Sequence, residues 1–229
     1  MKGVVTNQGF FSKWSSSMAY VLGFFAADGN MLKSKQGAFY IGFYSSDRDV
    51  IVMIRDILGS NHAIGRKAAR RPTHKDQYRL QIGSKTIFDR LIELGFTPKK
   101  SLTLIMPDVP AEFVGDFVRG YFDGDGCVYF KKLKFADRKR PRWILQAIFT
   151  CGNKRFLIDF LSELRRRGIK GGSIRNKLRG FDLLLSHKDS LAIYKLMYHN
   201  APATDLYLRR KYVIFRRAIE ILYPDAVVV

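Results

Sequence analysis

The chain has 229 residues, 47% of them hydrophobic, enough for one large domain or two modest ones with their own cores. Its 40 Lys and Arg against 20 Asp and Glu give a formal net charge of +20, which favours a polyanionic partner such as nucleic acid. Two cysteines, Cys127 and Cys151, exclude a disulfide framework, and no Cys/His spacing suits zinc. The apolar run from Met18 to Ala27 is far shorter than the roughly 20 residues a bilayer span needs. Residues Met1 to Phe11 hold no long apolar core after Lys2, so no secretory signal is expected and an intracellular, reduced setting follows.

Taken in chain order, the first element is an apolar helix, Val21-Leu22-Gly23-Phe24-Phe25-Ala26-Ala27, ending on Asp28-Gly29, with Ser15 to Ser17 as its cap. Strand-forming residues fill Met31 to Ser45 around a turn at Lys35-Gln36-Gly37. Val50, Ile51, Ile54, Ile57 and Leu58 form the stripe of an amphipathic helix that Gly59 ends. Strands follow at His62 to Arg70 and Gln77 to Gly83, then a helix from Lys85 with Ile87, Phe88, Leu91 and Ile92 on one face. Gly95 to Pro107 reads as a join.

The order then repeats. Val118-Arg119-Gly120-Tyr121-Phe122-Asp123-Gly124 is a second helix ending on Asp125-Gly126, and Pro110 suits its first turn. Strands are expected within Cys127 to Thr150 around a turn at Arg138 to Pro141, then at Gly172 to Lys177 and Phe181 to Ser186. Helices carry Phe156, Leu157, Phe160, Leu161 and Leu164, and then Leu191, Tyr194 and Met197 from Lys188 onward. Asp28 to Asp125 and Lys85 to Lys188 recur at a lag of about a hundred positions, as a fused ancient dimer would show. Each half reads α-β-β-α-β-β-α, giving an α+β chain with domains at 14–105 and 106–229. In both Asp-Gly helices small residues lie four apart, Gly23 with Ala27 and Gly120 with Gly124, so the two can pack backbone to backbone.

These two segments resemble the paired signature of LAGLIDADG homing endonucleases in the single-chain form with both copies, and the resemblance spans Ser15 to Arg217. It implies two pseudo-symmetric domains packed through the motif helices, with antiparallel sheets forming a saddle over DNA. It further implies a monomer that makes a double-strand break in a long asymmetric duplex by metal-dependent hydrolysis. The motif's eighth-position acids are Asp28 and Asp125; they would bind two or more Mg²⁺ ions with the carbonyls of Ala27 and Gly124. The sixth position holds Ala26 in one copy and Asp123 in the other, a departure expected to matter little. Within Pro98-Lys99-Lys100-Ser101 the resemblance assigns Lys100 to the scissile phosphate, with Lys211 as its counterpart in Leu208-Arg209-Arg210-Lys211-Tyr212. Ser46 or Asp47, and Asn153, fall where relatives keep a water-ordering side chain.

Strand alternation separates the DNA face from the core. In Tyr78 to Ile82, Leu80 and Ile82 point one way and Arg79 and Gln81 the other, where Arg can pair with guanine and Gln with adenine. Ser173, Arg175 and Lys177 repeat that arrangement opposite Ile174. Arg66, Lys67, Arg70 and Arg71, with Lys131, Lys132, Lys134, Arg138, Lys139 and Arg140, are expected phosphate contacts. His62, His74, His187 and His199 are scattered singly and assemble no His-Asn-His finger; the chain ends Val227-Val228-Val229, without the His-Asn of an intein junction. The competing reading is a same-fold RNA maturase, with intron RNA as partner, or a non-cleaving DNA-binding protein. Retention of both Asp28 and Asp125 favours cleavage.

Overall fold

The computed structural model describes residues 3–69, 71, 73–98, 102–199 and 206–226. The chain divides into two compact units, Met1–Gly124 and Asp125–Val229. In the first, helix α1 (Ser16–Asp28) runs straight into β1 (Gly29–Lys33) and β2 (Phe39–Ser45). Then come α2 (Arg48–Ile57), β3 (Ile64–Lys67), β4 (Gln77–Gly83), α3 (Lys85–Glu93) and α4 (Val114–Asp125), whose last residue opens the second unit. That unit holds β5 (Gly126–Leu133), β6 (Arg142–Cys151), α5 (Lys154–Arg166), β7 (Ser173–Lys177), β8 (Gly180–Ser186), α6 (Lys188–Tyr198) and α7 (Arg209–Leu222).

Both sheets are antiparallel with one topology, β1-β2-β4-β3 and β5-β6-β8-β7, so the duplicated element order becomes a duplicated sheet. In the first, Met31, Ile41, Phe43, Leu80 and Ile82 lie on one face by register and are buried. Helices α1, α2 and α3 pack on strands of this sheet; the Phe25 and Phe43 rings meet edge to face at 5.4 Å. In the second, Leu145, Ala147, Phe149, Leu183 and Leu185 form the buried face beneath α5 and α6, with Phe149 5.1 Å from Phe160. The stripes expected on α2, α3 and α5 are the buried ones except at Ile57, which is half-buried, and Ile92, which is exposed, because a 3.6-residue period puts the other apolar side chains over one sheet.

Three local expectations change. Pro110 does not start the second motif helix: it caps a 3₁₀ turn, Ala111–Phe113, and α4 begins after it. Gly29 ends α1 as expected, with extended backbone, φ −89° and ψ 160°. Its need for glycine is steric, since a Cβ there would lie 2.2 Å from the Phe25 ring. The third strand covers only Ile64–Lys67 of the expected 62–70. Helix α7 lies beyond the expected α-β-β-α-β-β-α pattern; the segment Leu208 to Tyr212, singled out from sequence for Lys211, caps and starts it.

Candidate active site and nucleic-acid interface

The centre of the first unit is the contact of α1 with α4. The Ser15 hydroxyl caps α1 by accepting from the Met18 N–H at 3.1 Å, and Met18 through Ala26 are all buried. A Cβ added at Gly23 would lie 2.0 Å from the Phe117 carbonyl oxygen, and one at Gly120 would lie 1.9 Å from that of Tyr20. The two backbones therefore touch where the spacing of small residues predicts. One turn further, a Cβ at Gly124 would meet the Ala27 Cβ at 2.4 Å and Oδ2 of Asp28 at 3.5 Å. Asp28, Ala27 and Gly124, three of the four expected metal ligands, are thus brought together within one unit, with Asp28 partly exposed at the end of α1. Asp125, also partly exposed, ends α4 and opens the second unit.

Polar groups are built into the same helix pair. The Tyr20 hydroxyl donates to Oδ2 of Asp123 at 2.9 Å, and Asp123 is only 3% exposed. Arg119 donates to Asp116 at 2.6 Å with its guanidinium 5.5 Å from the Tyr20 ring centroid, both residues being buried. The sixth-position acid that the motif comparison passed over is therefore a buried hydrogen-bond acceptor between the helices. In the second unit, Lys211 lies in the first turn of α7 and is 5% exposed, so its ammonium belongs to the interior. Lys100 and Arg70 lie outside the described residues. Asn153, where a water-ordering group was expected, caps α5 by accepting from the Arg155 N–H at 3.0 Å, whereas Asp47 stands at the N-cap position of α2 without a side-chain capping bond. Among the described residues no three His, Cys, Asp or Glu side chains converge on one point.

Register decides which basic residues share the outward sheet faces. Arg79 and Gln81 lie opposite the buried Leu80 and Ile82, as alternation requires, and Tyr44, Lys67 and Gln77 share their face. Arg66 alternates to the side of Ile64 and is tied to Asp76 at 2.8 Å. Asp76 itself is held below the usual carboxylate range, first by the Ala69 N–H and then by Arg66. Lys67 and Arg71 line a concavity of about 670 Å³ with His74, Lys75 and Gln77. In the second sheet, Lys131, Arg175 and Lys177 share the outward face with Ser173, whereas Lys132 alternates to the other side, 5.8 Å from the Trp143 ring centroid. Lys177 is bound to Asp182 at 3.1 Å, and Thr150 donates to that carboxylate at 2.6 Å. Lys134, Arg138, Lys139 and Arg140 are exposed between β5 and β6. Asn30, Tyr40, Tyr44, Gln77, Tyr129 and Gln146 also face outward and were not singled out from sequence. The alternation in β2 and β6 was the available signal, masked because both faces of those strands carry apolar or aromatic residues.

Comparison with known proteins agrees with this architecture. Residues 15–94 match the family model of a LAGLIDADG-like domain. No curated protein matches the sequence. Among solved structures, the meganuclease I-SmaMI bound to uncleavable DNA aligns with a TM-score of 0.61 at 13% identity over 91% of each chain. The homing endonuclease I-WcaI bound to its DNA recognition sequence aligns with a TM-score of 0.60 at 15% identity over 90% of each. The LAGLIDADG meganuclease I-AabMI bound to uncleaved DNA aligns at 0.55 and 12%, over 92% of this chain and all of that one. Residues 15–94 thus match a LAGLIDADG-like domain, and the chain as a whole has the fold of the solved single-chain LAGLIDADG homing endonucleases.

Proposed function

We propose that this protein is a monomeric, sequence-specific endonuclease that makes a double-strand break in a long asymmetric DNA duplex with the help of divalent metal ions. The observation that carries the reading is the backbone contact of α1 with α4, which holds the Asp28 carboxylate beside Gly124, the residue preceding Asp125. Carboxylate and carbonyl oxygens are hard donors, and such a set fits Mg²⁺. When bound, the metal supplies an activated water and takes up charge on the leaving oxygen.

The chain's own residues do the remainder. Asp28 and Asp125, with the carbonyls of Ala27 and Gly124, would hold the ions on two helix ends that cannot slide, because Gly23 and Gly120 lock the backbones together. Lys100 and Lys211 order solvent or stabilise charge at the scissile phosphate, and the burial of Lys211 favours such a site over a surface phosphate contact. Arg79, Gln81, Ser173 and Arg175 read bases; Lys67, Arg71, Lys131, Lys134 and the basic turn Arg138 to Arg140 grip phosphates and set register. Arg66, Arg70, Lys132 and Lys177 add to the positive field.

The test is incubation of the pure protein with a randomised duplex library and Mg²⁺, followed by sequencing of the cut ends. A single long, non-palindromic consensus is expected. Selective binding without cleavage under the same conditions would replace this reading with that of a non-cleaving DNA-binding protein.

A further inference from the structure

The two sheets carry one backbone topology but different chemistry at equivalent places. Just past α1, the outward face of the first sheet has a row made by Asn30 opposite Gly42 and Gly42 opposite Gln81. Just past α4, the second sheet has at that place Cys127 opposite Ile148, Ile148 opposite Leu184, and Leu184 opposite Ser173. The first row offers amides. The second offers an exposed thiol and two half-buried branched aliphatic side chains on the face opposite the core, where Phe149, Leu183 and Leu185 already supply the buried layer. Polar rows lie on either side of it: Tyr129, Gln146 and Ser186 on one, Thr150, Asp182 and Arg175 on the other. The exposed cations Lys131, Arg142, Arg175 and Lys177 share the same face.

An apolar strip on a cationic face suits one occupant better than any other, a polyanion that itself presents apolar groups between polar edges. In the major groove of DNA that group is the C5 methyl of thymine, the one apolar feature among hydrogen-bonding base edges. We infer that the Cys127-Ile148-Leu184 row reads thymine methyls in the part of the target next to the cut, while the equivalent Asn30-Gly42-Gln81 row reads purine edges by hydrogen bonding. This inference rests on the proposed DNA-cleaving function and names the base chemistry that one half of its target presents. It also gives the asymmetry of the target a physical source, since two faces of one topology recognise different groups.

The experiment replaces thymidine by deoxyuridine, one position at a time, in the duplex selected from the random library, and measures binding in Ca²⁺. Deoxyuridine keeps every hydrogen-bonding edge and loses only the methyl. One or two positions in one half of the target are expected to lose about fourfold in affinity per methyl, the free energy of burying one such group. Ile148→Ala and Leu184→Ala are expected to bind the thymidine target more weakly and to lose that sensitivity, while Gln81→Ala keeps it. Thermal melting of the variants checks that they fold, and the deoxyuridine series on the unaltered protein needs no variant. A duplex that is selected and cut, yet tolerates deoxyuridine everywhere, overturns this inference and leaves the endonuclease reading standing. Absence of any selective duplex binding overturns both.

Discussion

In the proposed site the chemistry at Asp28 and Asp125 depends on charge and the fold does not. Asp28→Asn or Asp125→Asn keeps the shape of the side chain and removes the charge that retains a divalent cation. Each is expected to lower cutting of the selected duplex by orders of magnitude while leaving binding in Ca²⁺ near wild type. Wild-type cutting of both strands by both variants would remove these aspartates from the site. Asp123 makes the opposite case. It is buried and accepts the Tyr20 hydroxyl, so Asp123→Ala leaves that hydroxyl without this acceptor between two packed helices. A loss of about 2 kcal/mol is expected in denaturant unfolding, and about 1 kcal/mol for Tyr20→Phe. The two motif copies show all three acids, but only the packing distinguishes the one held inside from the two left partly exposed at helix ends.

At the scale of elements, the helix pair is the most constrained feature. Gly23→Ala or Gly120→Ala would push a methyl group to within about 2 Å of a carbonyl oxygen on the facing helix, and neither backbone can yield without moving its whole helix. Each is expected to cost about 3 kcal/mol, seen as a lowered melting temperature, with cutting lost in step as Asp28 and Gly124 separate. Ser15→Ala removes a single cap and should cost only about 1 kcal/mol. The helices with an apolar stripe and the strands Gln77–Gly83 and Ser173–Lys177 were legible in sequence, because their periodicity is written in neighbouring residues. Helix α7 was not: its buried residues, Lys211, Phe215, Ala218 and Ile219, are interleaved with a run of cations that reads as a loop or a solvated face.

For the whole molecule, the net charge of +20 would make the proposed DNA binding an ion-exchange process. The logarithm of the binding constant should fall by about 0.9 for each phosphate neutralised per decade of salt. A flat salt profile would remove the phosphate-gripping role of the basic residues. A monomer with two sheets of different outward chemistry should protect about two turns of duplex, roughly 10 bp per sheet, without palindromy. A homodimer on a perfect palindrome would contradict that expectation.

The sequence by itself determined the duplication, the two Asp-Gly helices with their small-residue faces, the strands with clear alternation and the cationic character of the surface. All of these are set by residue type and short-range spacing, which the chain carries without folding. Only the tertiary structure decided that Arg66 and Lys132 alternate away from the outward face, that Lys211 is interior, that Asp123 is a buried acceptor, and that the second sheet carries an apolar row on its outward face. Each of those depends on strand register or on burial against residues far away in the chain, and a one-residue change of register would reverse every facing.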